Sequence, residues 1–143
     1  MSEPPSLHSN RPLTLRYDIP ISRTREFWDS LKAGKFITTK CSGCGNVTFP
    51  PQADCPACMG DRFEWVDLGR EATLVTFTSV QVAPASFEGT GPYMIAIGEF
   101  KGGVKVLARL EGTEPKKARQ GMALRIEARS EKDGNPYYVF VVA

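Results

Sequence analysis

Four cysteines, the only ones in the chain, stand as Cys41-Ser42-Gly43-Cys44 and Cys55-Pro56-Ala57-Cys58, two Cys-x-x-Cys turns with ten residues between them. A two-residue gap lets a tight turn aim both sulfurs at one point, and two such turns supply the four thiolates that a tetrahedral structural Zn²⁺ takes. Four protein ligands close the shell and leave no position for a substrate or an activated water, so an ion here holds the fold and does no chemistry. Two other uses of the same residues stand beside this one. Paired disulfides need an oxidising, secretory setting, and Met1-Ser2-Glu3-Pro4-Pro5 has no apolar leader segment. Iron bound as in rubredoxin uses the same ligands, and the ligand set alone does not separate it from zinc. Reduced thiols and the lack of any apolar stretch of transmembrane length make the cytoplasm the expected setting, with no membrane contact.

The remaining composition restricts the chemistry further. A length of 143 residues fits one domain, or a small core with a metal-stapled appendage. Eighteen basic against 16 acidic residues give a formal net charge of +2, too little to draw a polyanion nonspecifically. The single histidine, His8, sits in a Pro-rich arm, and every cysteine is claimed by the metal. A His-activated or thiolate nucleophile is therefore not available, and no catalytic residue is expected. Carboxylates and lysines have no flanking sequence that implies a shifted pKa and are read as surface.

Along the chain, residues 1–20 carry Pro4, Pro5, Pro12 and Pro20 without periodicity and read as an extended arm. Residues 21–35 read as a helix: Ser22 as cap, a body from about Arg23 to Ala33, and Gly34 in the stop position. Its apolar face, Phe27, Trp28 and Leu31, needs a surface, either this chain's own sheets or another subunit. Residues 36–68 form the ribbon, with strands near Phe36–Lys40, Val47–Phe49 and Phe63–Asp67. From Gly69 to residue 143 the pattern changes to five short apolar or β-branched runs, at about 72–82, 93–100, 104–110, 122–129 and 137–142. Alternation in Val104-Lys105-Val106-Leu107-Ala108-Arg109 and Leu124-Arg125-Ile126-Glu127-Ala128-Arg129 marks strands with one wet face. Gly102-Gly103 and Asp133-Gly134 suit hairpin turns. The class is mainly β, and five antiparallel strands with a longer third connection fit a small Greek-key barrel of the OB kind.

The order of these parts resembles a known family: acyl-CoA-associated proteins with a rubredoxin-like zinc ribbon and a C-terminal OB-fold, formerly catalogued as a domain of unknown function. The likeness spans about residues 21–142. It rests on Glu26-Phe27-Trp28 with Leu31 and Gly34, Cys41-Ser42-Gly43-Cys44-Gly45, Phe49-Pro50-Pro51, Cys55-Pro56-Ala57-Cys58, Phe63-Glu64-Trp65, Gly69 leading to Thr76-Phe77-Thr78, Gly91-Pro92-Tyr93 and Gly121-Met122. Two departures concern turns: the family often has a second glycine near Glu71 and a glycine directly after the last cysteine, where this chain has Met59 and then Gly60.

The resemblance implies a noncatalytic accessory subunit beside a thiolase-fold enzyme, or alternatively an acyl-CoA hydratase, acting on acyl-CoA thioesters. It would shape the partner's active-site entrance and help hold the CoA moiety. A dimeric partner would make a heterotetramer with two copies of this chain. Phe27, Trp28 and Leu31 become candidate partner contacts, and Phe87, in the Pro- and Gly-rich loop from Val82 to Tyr93, a candidate lining of the thioester channel. CoA phosphates need cationic donors, and the concentrated run is Lys116-Lys117-Ala118-Arg119, with Lys40, Arg62 and Arg70 as further candidates; a solvated loop is the plainer use of such a run. Two rivals remain. An OB barrel also binds single-stranded nucleic acid, and Phe77, Tyr93, Phe100, Tyr137, Tyr138 and Phe140 are its candidate stacking residues, although the charge balance disfavours it. Iron at the four cysteines would make an electron carrier.

Overall fold

The computed structural model describes Pro5, Arg16, residues 18–82 and residues 91–143. Helix α1 runs Arg25–Lys32. It starts two residues later than Ser22 would place it. The N-cap is Thr24, without a side-chain cap bond, and a backbone turn closed by Thr24 N–H to the Ile21 carbonyl (2.9 Å) leads in. The end is as expected: Gly34 takes φ +77°, Gly34 N–H reaches the Leu31 carbonyl and Lys35 N–H the Ser30 carbonyl, both at 2.9 Å. This pair of bonds is a Schellman stop, which a Cβ would strain.

Strands β1 (Ile37–Cys41), β2 (Val47–Thr48) and β3 (Phe63–Asp67) form an antiparallel sheet in the order β2-β1-β3. Cys41 pairs with Phe63 and Ile37 with Asp67, so the first cysteine turn opens from one end of the central strand. Two buried threonines are satisfied: Thr38 Oγ1 donates to the Thr48 carbonyl, and Thr39 Oγ1 accepts the Gln52 N–H at 2.9 Å. The second bond holds the stretch after the Phe49–Pro50 cis peptide against β1.

Five strands follow: β4 (Glu71–Val80), β5 (Tyr93–Phe100), β6 (Lys105–Glu111), β7 (Ala123–Ser130) and β8 (Pro136–Val142). They close a barrel in the order β4-β5-β6-β8-β7, with β7 returning to β4. Four of the five strand pairs are antiparallel, as expected, but β6 and β8 run parallel. Closure after a hairpin and a long crossing leaves them with the same direction. Alternate residues fill the interior, among them Leu74, Met94, Ala96, Phe100, Val106, Ala108, Leu110, Leu124, Ile126 and Phe140. Gly98 leaves room for one ring: a Cβ there would stand 2.5 Å from Phe140 Cζ.

The two barrel ends are closed differently. At one, the crossing between β6 and β7 folds inward on buried Ala118 and clips to β4 through Leu74 N–H to Met122 O (2.9 Å) and Gly121 N–H to Leu74 O (2.8 Å). At the other, Phe27 of α1, Phe36 and Phe49 of the ribbon, and Tyr138 of β8 meet with ring centroids 5.2–6.3 Å apart, and Phe36 stacks on Phe100 at 5.5 Å. Tilted and edge-to-face aromatic packing of this kind contributes beyond its buried area.

That plug answers what the helix face covers. Phe27 and Leu31 keep 2% and 1% exposure inside this chain's own core, so they are unavailable as partner contacts; Trp28, half-buried, packs on the same cluster. The helix carries its apolar residues at i and i+4, and the open barrel mouth lies in reach. Among the described residues, no helix is long and apolar enough to cross a membrane.

Candidate metal centre

The four cysteine sulfurs all lie within 4.8 Å of one another, with Cys41 to Cys58 at 3.5 Å and Cys44 to Cys55 at 3.6 Å. Sulfurs around a tetrahedral zinc with Zn–S near 2.3 Å stand about 3.8 Å apart. The donor set and its spacing therefore fit one closed four-sulfur shell. Each turn is built alike. Cys41 O accepts the Gly45 N–H and Cys55 O the Met59 N–H, both at 2.9 Å. Within the turn, the first sulfur faces backbone donors: Gly43 N–H lies 3.3 Å from Cys41 Sγ.

Those donors set the thiol acidities. The Cys44 and Gly43 N–H groups hold Cys41 below the ordinary thiol value, and the Cys58 and Ala57 N–H groups bring Cys55 down to about 6. At Cys44 the Asn46 N–H also lowers, but the crowding thiols of Cys55 and Cys58 outweigh it and push the group up to about 12. Backbone dipoles thus favour thiolate at the first cysteine of each turn, and without a cation a further thiolate is resisted. A divalent ion removes that resistance.

The second turn is braced from outside the ribbon by a residue that the sequence did not single out. Arg23, just before α1, donates through Nη2 to the Ala53 carbonyl at 3.1 Å and the Asp61 carbonyl at 3.5 Å. Its Nη1 stands 3.7 Å from Asp54 Oδ1, and its guanidinium lies 5.8 Å from the Phe63 ring centroid. Thirty to 40 residues separate these partners, and no local pattern marks such a contact.

Two domain models match the chain in succession: the ChsH2 rubredoxin-like zinc ribbon domain over residues 28–64, and the ChsH2 C-terminal OB-fold domain over residues 65–129. A DUF35 domain-containing scaffold protein of Methanocaldococcus jannaschii is 33% identical over 101 residues, covering 69% of this chain and 72% of the relative. The chain belongs to the ChsH2 (DUF35) family. Benzoylsuccinyl-CoA thiolase subunit BbsA of Thauera aromatica is 32% identical over 73 residues, 51% of this chain and 49% of that one. A probable enoyl-CoA hydratase alpha subunit of Thermomonospora curvata is 25% identical over 119 residues, 82% of this chain but 37% of the relative. In fold, the chain is similar to a chain of the Ltp2-ChsH2(DUF35) aldolase structure, with TM-score 0.71, 21% identity, and coverage of 92% of this chain and 98% of that one.

The other candidate residues are dispersed. Lys116 is exposed; Lys117 Nζ pairs with Glu114 at 3.2 Å; Arg119 Nη1 donates to its own loop's carbonyls, Lys116 O at 2.6 Å and Ala118 O at 2.7 Å. They do not converge on one point. Phe87 lies outside the described residues. Lys40 pairs with Glu64 at 3.5 Å, and Arg70 Nη2 donates to the Gly34 carbonyl at 2.7 Å. Of the proposed stacking residues, Phe100 and Phe140 are buried and Tyr138 belongs to the aromatic plug, so none of the three presents a free ring face. A cleft of about 470 Å³ opens between Tyr93, Arg109, Glu111 and Glu114, with the Arg109 guanidinium 4.8 Å from the Tyr93 ring centroid. Tyr93 is one of the candidate stacking residues, whereas Arg109 reads in the sequence as an ordinary outward strand position and carries no mark of the cleft.

Proposed function

We propose that this chain is a noncatalytic zinc-ribbon subunit that works beside a thiolase-fold enzyme on acyl-CoA thioesters, shaping the entrance to the partner's active site and helping to hold CoA. One observation carries the reading: all four thiols gather in a single cluster. Thiolase-type carbon–carbon chemistry needs a thiol nucleophile and a base; this chain commits all its thiols to that cluster, and its only histidine, His8, stands in the Pro-rich arm of the sequence, outside the described residues. Those groups come from the partner. The similarity to a thiolase subunit supports the choice of partner; the similarity to a hydratase subunit supports an acyl-CoA hydratase as the alternative.

Zinc is the ion that best suits Cys41, Cys44, Cys55 and Cys58. It is redox-inert, prefers this geometry and leaves the ribbon closed. Lys116 and Lys117, on the exposed crossing between β6 and β7, are offered for the phosphates of CoA, with Arg119 shaping that loop. Two copies of this chain would join a dimeric partner in a cytoplasmic heterotetramer.

The test is reconstitution. The thiolase-fold subunit encoded nearest this chain's gene is purified with and without it, and thioester cleavage or condensation is followed. A stoichiometric complex active only when both chains are present supports the reading. A thiolase subunit fully active alone, with no complex, removes it. Unchanged CoA affinity in a Lys116→Ala, Lys117→Ala, Arg119→Ala variant of the complex removes the basic run.

A further inference from the structure

The two cysteine turns are built alike but held differently. The first sits at the tip of the β1–β2 hairpin: Thr39 and Lys40 pair with Thr48 and Val47, Cys41 N–H donates to the Asn46 carbonyl at 2.8 Å, and Ser42 N–H donates to the Arg62 carbonyl at 3.0 Å. Both of its legs are strands. The second turn has a strand on its outgoing side only, where β3 begins with Phe63 opposite Cys41. Its incoming leg, residues 50–54, belongs to no strand and opens with Pro50 and Pro51, which have no N–H to give to a ladder. Gln52 N–H reaches Thr39 Oγ1 at 2.9 Å, and inside the turn Cys55 N–H closes on the Gly60 carbonyl at 2.7 Å.

The tie that a second strand would supply comes instead from Arg23. Its Nη2 donates to the Ala53 carbonyl before the turn, at 3.1 Å, and to the Asp61 carbonyl after it, at 3.5 Å. One nitrogen thus bridges the two ends of the segment that presents Cys55 and Cys58. Its positive charge strengthens both bonds, and the guanidinium, 5.8 Å from the Phe63 ring centroid, is seated over the start of β3. The ion pair with Asp54 at 3.7 Å adds little, because the two side chains are 54% and 67% exposed. Arg23 also belongs to another part of the molecule. It stands just before α1, whose Phe27 and Leu31 are buried in the core shared with the barrel, so the clamp is anchored outside the ribbon.

Ligands held in place before the ion arrives are ordered at less cost, and groups outside the ligand shell that hold the ligands in position change metal affinity. We propose that Arg23 is a positioning residue for the metal: through the Ala53 and Asp61 backbone it keeps Cys55 and Cys58 in register when the shell opens, so the second turn recaptures the ion instead of splaying. Retention of the ion then depends on α1 as well as on the ribbon, whichever subunit this chain serves.

The test follows zinc leaving the full-length, zinc-loaded chain. Release to excess EDTA, well below the thermal midpoint, is compared in wild type, Arg23→Ala and Arg25→Ala; Arg25, paired with Asp29 at 3.4 Å along the helix, is the control. In the same samples, alkylation by N-ethylmaleimide is read separately at Cys44 and Cys58, the exposed cysteine of each turn. Arg23→Ala should release zinc about tenfold faster and raise the alkylation rate of Cys58 relative to Cys44, with the β4–β8 amides still protected from hydrogen exchange. A variant that takes up no zinc while those amides stay protected is the same result in stronger form. Arg25→Ala should match wild type. Release from Arg23→Ala at the wild-type rate overturns the inference, as does equal acceleration in Arg25→Ala, which would assign the effect to the helix as a whole. An unchanged ratio of Cys58 to Cys44 alkylation in the loaded variant assigns Arg23 to the ribbon in general, and lost protection in β4–β8 assigns it to folding of the whole chain; either result overturns the inference too.

Discussion

The ribbon and the barrel are two sheets of one chain held by different physics. In the barrel, alternate residues of five strands converge on an interior of Leu74, Val106, Leu124 and Phe140, each nearly inaccessible, and burial of apolar surface maintains the closure. The ribbon has three strands, the central pairing only two residues long with β2, and its buried apolar residues, Phe36 and Ile37, belong to the core shared with the barrel. Its distal half has four sulfurs in place of a core. Where side chains are too few to exclude water, coordination bonds supply the cohesion, and the aromatic plug transmits it to the barrel.

The largest expected effect removes the ion. Cys44→Ala, or chelation, should unfold the ribbon from about residue 37 to 67, because structural zinc contributes about 10–16 kcal/mol in small zinc modules. Hydrogen exchange read by segment should show β1–β3 amides exposed and β4–β8 amides protected. Retained protection in β1–β3 without metal would mean that the plug alone suffices to fold the ribbon. Next comes the plug itself. Phe36 touches Phe27, Phe49, Phe100 and Tyr138, so Phe36→Ala should cost about 3–5 kcal/mol and separate one unfolding transition into two. A single transition at a lower midpoint would show the two sheets coupled by other contacts.

How much of this was legible in advance follows the same division. The cysteine spacing carried the gathering of the four sulfurs into one cluster, since Cys-x-x-Cys geometry is local. All five barrel strands lie within two residues of their expected bounds, because period-two alternation and Gly102-Gly103 and Asp133-Gly134 punctuation are local signals too. What escaped was long-range. The parallel β6–β8 pair follows from closure and has no signature in either strand. The destination of Phe27 and Leu31 was open because an amphipathic stripe states that it needs a cover and not which one. Arg23 reaches the second cysteine turn through backbone carbonyls, which carry no side-chain pattern to detect.

A smaller effect probes the packing of the barrel alone. Gly98 faces Phe140 across the interior, and an added Cβ would meet Cζ at 2.5 Å, Cε1 at 2.9 Å and Cε2 at 3.0 Å. Phe140 has no exposed side to move toward. Gly98→Ala should therefore destabilise the barrel by about 1–3 kcal/mol through overpacking, leaving metal content unchanged. Measured by denaturant midpoint with zinc bound, equal stability would show that the interior has slack.

Acid should separate the two regions last and most gently. In the ribbon, protons compete with the metal for thiolates, so acidification releases the ion. In the barrel, Glu127 on β7 accepts from Arg129 Nη1 at 2.6 Å and from Arg125 Nη2 at 2.8 Å, and these bonds, Arg129 first, hold its carboxyl below the ordinary value of 4.5. A carboxyl depressed in the folded state contributes stability above its unfolded value, and that contribution is lost as pH falls through the folded value. The barrel should thus be indifferent to pH from neutrality to about 5 and weaken only below the carboxyl's ordinary value. Salt should blunt the effect, since the partners are partly exposed. Exchange at the Ile126 and Phe140 amides, which lie opposite each other on β7 and β8, followed against pH in wild type and Glu127→Gln, reads the barrel without the ribbon. The variant should lose the acid-dependent part of the decline and keep the rest; identical profiles would assign the acid response of the barrel to other carboxylates.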